Sequence, residues 1–118
     1  MRPKTAAALF DIRIAVERVR ETVETMTLDE FGASWIVQSA VERQFEILGE
    51  ALTRIKSLEP AILDSIPDAS KVIGLRNLIA HGYDVVDPKV LWSTANEHLP
   101  ALESAVLELL AQAEGQGL

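Results

Sequence analysis

The feature that most constrains this chain is a seam near its start. Leu9, Ile12, Val16, Val19, Val23 and Met26 follow one another at spacings of 3, 4, 3, 4 and 3. That period keeps apolar side chains on one stripe of an α-helix and would scatter them over both faces of a strand. It predicts a long helix over about Thr5 to Met26, with Arg13, Glu17, Arg18, Arg20, Glu21 and Glu24 turned to solvent. A single striped helix has nothing to bury its stripe against, so the rest of the chain must supply partners.

The rest of the chain supplies them. Thr27-Leu28-Asp29-Glu30 fits a capping box and predicts one short turn ending near Phe31, before Gly32. A second long helix is expected from about Ser34 to Ser57, with Ser34 as its cap and a stripe of Val37, Ala40, Val41, Phe45, Leu48, Leu52 and Ile55. Gly49, in its middle, is disfavoured by roughly 1 kcal/mol relative to Ala, which points to another helix passing close by. Pro60 opens a short helix to about Ile66, and Pro67 stops it. Asp68 or Ser70 is expected to cap a helix over Ala69 to His81, with Gly82 as a left-handed terminator.

Asp87-Pro88 opens a last helix whose seam includes Val90, Leu91, Ala95, Leu99, Leu102, Val106, Leu109 and Leu110. Pro100 should bend or break it. The tail, about residues 114–118, is expected to fray. With no strand pattern, repeat or linker, the expectation is an all-α, antiparallel helical bundle of four to five helices, one domain over residues 1–118.

Composition narrows the chemistry. Hydrophobic residues make up 48% and aromatics only 5%, so the core is aliphatic and suits helix-on-helix packing. With no cysteine, disulfides and thiolate metal sites are excluded. The two histidines and scattered carboxylates have no transition-metal spacing, so neither metal nor cofactor is expected. The N-terminal run after Lys4 is cut short by Asp11 and Arg13, and no run approaches the ~18 apolar residues of a membrane span. A soluble cytoplasmic protein is expected.

A net charge of −7 argues against a general nucleic-acid coat protein. The charge is uneven: 5 basic and 7 acidic residues over 1–42, 5 and 5 over 43–76, then 1 and 6 over 77–118. Any RNA binding would have to be local.

The chemistry-bearing types converge in Gly74-Leu75-Arg76-Asn77-Leu78-Ile79-Ala80-His81-Gly82-Tyr83. Arginine offers a planar fork of donors matched to phosphate oxygens, and histidine can move a proton near pH 7 without a metal. On their own such residues are most often surface and helix-end residues. Arg76 and His81 are five apart, about 140° around a regular helix, whereas Asn77 and His81 share a face. Two routes bring Arg76 and His81 onto one phosphate: a distorted last turn, or a second copy of the chain. Metal-free RNA cleavage needs one group to take a proton, another to give one, and a cation for the extra charge. One His per motif supplies half of that, so the chemistry favours a two-fold dimer.

Arg76-Asn77-x-x-x-His81-x-Tyr83 resembles the Arg-x4-His-x-Tyr motif of HepT-like proteins in the HEPN ribonuclease superfamily. Ala40 to Ala51, ending Gly49-Glu50-Ala51, is similar to the family's second-helix signature, and His81 to Asp87 to its segment after the motif. The resemblance covers nearly the whole chain. It implies an all-α bundle that forms a homodimer with facing motifs. It further implies a metal-independent endoribonuclease, the toxin of a toxin–antitoxin pair. Its implied partner is a minimal nucleotidyltransferase antitoxin of MntA type, which transfers AMP to the motif tyrosine, here Tyr83. Arg76 would hold the phosphate, His81 act as acid and base, and Asn77 orient groups at the helix end. Glu50, after Gly49, is a candidate buried partner for Arg76. Two departures from the family pattern are Asp68 after Pro67, where many relatives carry Trp, and Leu78 after Arg-Asn.

Other polar and aromatic residues read more plainly. His98 is expected at the surface, Trp35 and Trp92 as core or interface anchors, and Asp84 and Asp87 as turn and cap residues. The alternative function is a non-catalytic helical partner, a substrate-binding subunit of a nucleotidyltransferase.

Overall fold

The structure, a computed structural model, describes residues 1–82 and 86–118. Its long helices are α1 (Pro3–Val23), α3 (Trp35–Leu58), α5 (Ala69–His81) and α7 (Leu99–Gly115). Between them lie the short helices α2 (Leu28–Gly32), α4 (Pro60–Asp64) and α6 (Pro88–Ser93), and a π-turn over Thr94–His98. The chain is an all-α helical bundle: α1 packs against α3 and α7, and α3 packs in turn against α5.

The seams explain that order. Leu9, Ile12, Val16, Val19 and Val23 of α1 are buried, with Met26 half-buried beyond its end. Val41, Phe45, Leu48, Leu52 and Ile55 of α3 meet them, and Leu99, Leu102, Val106 and Leu109 of α7 close the third side. At roughly 1.5–3 kcal/mol per fully buried large apolar side chain, these stripes outweigh any local propensity. Trp92 tilts onto the buried Phe31 ring at 5.5 Å, tying α6 to α2. Two ladder positions are corrected: Ala40 and Val90 are exposed, each at the margin of its stripe.

The caps follow their sequence signals. Thr27 and Glu30 complete both halves of the capping box, Ser34 accepts from the Val37 amide, and Asp87 accepts from the Lys89 amide ahead of Pro88. α1 begins on Pro3, and its start is held from outside: the Glu59 carboxylate accepts from the Arg2 amide and, at 2.8 Å, from the Thr5 hydroxyl. Those bonds, the amide's foremost, hold the Glu59 carboxyl below the usual carboxylate range.

Three terminator expectations are corrected. Asp68 precedes α5 in a left-handed conformation (φ 61°) and makes no side-chain cap bond. Gly82 is extended (φ −70°, ψ 120°), not left-handed. The tail expected to fray instead closes α7 as a Schellman motif. Leu118 N–H bonds Ala113 C=O and Gly117 N–H bonds Glu114 C=O, each at 3.0 Å, with Gly117 at φ 79°.

The disruption expected at Pro100 lies just before it. Pro100 lacks an N–H and its ring would clash with the carbonyl four residues back. The chain responds by widening the preceding turn, and the Leu99 amide reaches the Thr94 carbonyl five residues away.

Candidate active site

α5 positions the motif. Its inner face is Ala69, Val72 and Leu75, its outer face Asn77, Leu78, Ala80 and His81. The helix stays regular through His81, so Arg76 and His81 project about 140° apart. One protomer does not bring them together.

Arg76 lies on the α3 side. A Cβ built on Gly49 would overlap the Arg76 Cβ and come within 2.7 Å of its Cγ. Gly49 is therefore glycine because the Arg76 stem occupies the space a side chain would need. The Arg76 Nη1 donates to Asn77 Oδ1 at 3.2 Å. The expectation of Glu50 as a buried partner is corrected. Glu50 is exposed, and among the described residues no carboxylate forms an ion pair with Arg76. One residue beyond Gly49 on α3, Glu50 lies about 100° round the helix from that contact.

His81 is exposed in the last turn of α5. Tyr83 and Asp84 lie outside the described residues. Beside the end of α5 is a cleft of about 390 Å³, walled by Trp35, Gln38 and Glu42 of α3 and by Ile79, Gly82 and Val86. Burial, followed by the nearby Glu46 carboxylate, pushes the Glu42 carboxyl above its ordinary range. Trp35 is 73% exposed and its neighbour Ile36 64%, while Leu78 on α5 is 59% exposed. Trp35 and Ile36 open α3, with Trp35 at the cleft, and Leu78 stands one turn before His81 on α5. Sequence reasoning missed Glu42, whose only signal was a second acid, Glu46, one turn along α3.

His98 is corrected as well. It is half-buried rather than a free surface residue: its Nδ1 lies 3.3 Å from Asp68 Oδ2, and its Nε2 3.4 Å from Lys71 Nζ. Among the described residues no three His, Cys, Asp or Glu side chains gather as metal ligands, and no helix is long and apolar enough to cross a membrane.

Comparison with known proteins identifies the family. The family model described as "Ribonuclease HepT-like" matches residues 12–109. A Thermococcus cleftensis protein named "Probable ribonuclease HepT" is 33% identical over 95 residues, 80% of this chain and 86% of the relative. A Methanocaldococcus jannaschii protein named "Putative RNase MJ1380" is 30% identical over 100 residues, 85% of this chain and 91% of the relative. No solved structure matches the chain. A match running from the first seam to the end of the last, with the motif helix between them, places the chain in the HepT-like ribonuclease family of HEPN proteins.

Proposed function

We propose that the chain is a metal-independent endoribonuclease toxin whose active site is completed by a second copy of itself. Ribonuclease activity is the coarse assignment that family membership carries. The finer reading rests on one observation: Arg76 and His81 sit on a regular helix and point apart, while large apolar side chains, Leu78 one turn before His81 and Trp35 beside Gly82, stand exposed. A two-fold axis near the end of α5 would set two Arg76 and two His81 side chains around one phosphate.

In that site one His81 takes the proton of the ribose 2′-hydroxyl as its oxygen attacks the adjacent phosphorus. The partner's His81 gives a proton to the departing 5′-oxygen. The products are a 2′,3′-cyclic phosphate and a free 5′-hydroxyl, and no water or metal is consumed. Arg76 balances the added charge on the phosphate, and Asn77, bonded to the guanidinium, orients it. Purified protein should cleave RNA in EDTA and leave cyclic phosphate ends, and Arg76→Ala or His81→Ala should abolish this. Unchanged cleavage in both variants would overturn the assignment.

Control by a nucleotidyltransferase antitoxin fits the same site. AMP on Tyr83, two residues from His81, would bring phosphate charge and bulk to where RNA must lie. Intact mass after incubation with ATP and such an enzyme should rise by one AMP, and Tyr83→Phe should prevent it. An unchanged mass assigns inhibition to binding alone. A wild-type dimer that cleaves no RNA at any concentration would favour the non-catalytic substrate-binding role instead.

A further inference from the structure

The first half of α5 faces α6 and the π-turn across an open groove of about 530 Å³. Lys71 stands on the α5 wall, and Lys89, Ser93 and His98 stand on the other, with Leu75 and Leu78 as an apolar floor. In a chain of net charge −7 this is an unusual gathering. Lys89 is the single basic residue among positions 77–118, and it lines the same groove as Lys71. The one nearby acid on the π-turn, Glu97, already accepts from the Ser93 hydroxyl at 3.0 Å.

The groove is also built. Asp68 is the only non-glycine residue with positive φ among the described residues, and its carboxylate forgoes the cap of α5 to hold His98 Nδ1. That bond turns His98 Nε2 toward Lys71 Nζ. The π-turn delivers His98 to this position, and such turns recur at functional sites. On α5, Lys71, Gly74, Leu78 and His81 follow steps of 3, 4 and 3, one stripe about 15 Å long that runs from the groove to the motif histidine. Gly74 leaves that stripe bare, with nothing within 4 Å of where a Cβ would stand.

We infer that this groove binds the sugar–phosphate backbone of the RNA, through Lys71 and Lys89 with the Asp68-held His98 between them, and guides the strand along α5 to His81. The inference rests on the ribonuclease reading and adds a phosphate track outside the Arg-x4-His motif. Lys71 and Lys89 are positioning residues that neutralise phosphates. His98 Nε2, paired with Lys71 Nζ, holds the ammonium over the groove, and Leu75 and Leu78 offer apolar contact to ribose and base faces.

The test uses the full-length protein and a single-stranded, fully 2′-O-methylated RNA that cannot be cleaved, with binding read by fluorescence anisotropy across a salt series. Lys71→Gln/Lys89→Gln should lower affinity about tenfold and flatten the slope of log K against log salt by about 1.4. Lys71→Arg/Lys89→Arg should keep the slope, and the control Lys4→Gln/Lys56→Gln should change neither quantity. A double glutamine variant with wild-type affinity and slope overturns the track, and if the wild type still cleaves RNA the ribonuclease reading stands. Lysine-dependent binding without any cleavage supports the track and removes the ribonuclease reading. A wild type that binds no RNA overturns the track, and one that also cleaves none overturns the ribonuclease reading with it.

Discussion

Gly49 of α3 and Arg76 of α5 are in such close contact that the arginine stem fills the place of the missing glycine side chain. The helix pair is therefore keyed at the residue proposed to hold the phosphate. Gly49→Ala poses two opposed effects. Helix propensity favours alanine by roughly 1 kcal/mol, whereas overpacking a closed contact costs roughly 1–3 kcal/mol. Because the clash is with Cβ, which cannot rotate away, overpacking should win. Urea denaturation should show net destabilisation of about 1 kcal/mol, and RNA cleavage should fall at least tenfold as Arg76 is displaced. A more stable, fully active variant would show that the helices yield at no cost.

The proposed composite site makes a prediction about mixtures. Arg76→Ala and His81→Ala homodimers should each be inactive. Mixed dimers, made by co-expression with two different tags, retain one arginine and one histidine on opposite protomers. They should recover measurable cleavage, well below wild type, with the remaining histidine as base and water giving the proton to the departing 5′-oxygen. If the mixed dimer is as silent as its parents, the two groups do not act across an interface.

Trp35 and Ile36 provide the means to separate assembly from folding. Both are more than 60% exposed in one protomer, so replacing them with aspartate should leave the thermal midpoint of the isolated chain nearly unchanged. The same change places charges within an apolar contact surface. Light scattering should report a monomer for Trp35→Asp/Ile36→Asp, and RNA cleavage should be lost with it. A dimer that persists would place the two-fold contact elsewhere on the bundle.

Glu59 sets a pH dependence. Its carboxyl lies below the ordinary glutamate value of 4.5 because the Arg2 amide and then the Thr5 hydroxyl donate to it. A depressed carboxylate stabilises the fold fully above the unfolded value, and that stabilisation is lost as pH falls through the lower native value. Glu59→Gln should thus melt below wild type at pH 7, and the gap should close as pH drops below about 4.5. A gap constant from pH 7 to pH 3 would mean that the charge contributes nothing there.

The bundle was legible because its information is local and periodic. Leu9 to Val23 and Val41 to Ile55 are buried as their spacing requires, and the Thr27 and Ser34 caps sit where their side chains can reach free amides. Arg76 and His81 were legible as a pair that a regular helix holds apart, and α5 is regular. What was hidden depends on residues far apart in sequence. Lys71 and His98 are 27 positions apart, and nothing on either side announces that the π-turn will bring them within 3.4 Å. Glu50 misled for a related reason: adjacency to Gly49 in sequence suggested proximity to Arg76, but the next residue on a helix faces elsewhere. Asp68 followed a tertiary contact over its local capping preference, which propensity alone cannot foresee.

The π-turn over Thr94–His98 also fixes the length of the chain at that point. A widened turn accommodates one residue more than an α-helical turn would, and each residue of an α-helix advances its neighbours by about 100°. Deleting a single position between Thr94 and His98 would let that turn close to an α-helical one, and α7 would keep its face toward the core. Leu102, Val106 and Leu109 would stay buried with Leu91, while the Pro100 ring would again meet a carbonyl four residues back. Homologous chains that lack Pro100 should therefore align across this segment with a one-residue gap.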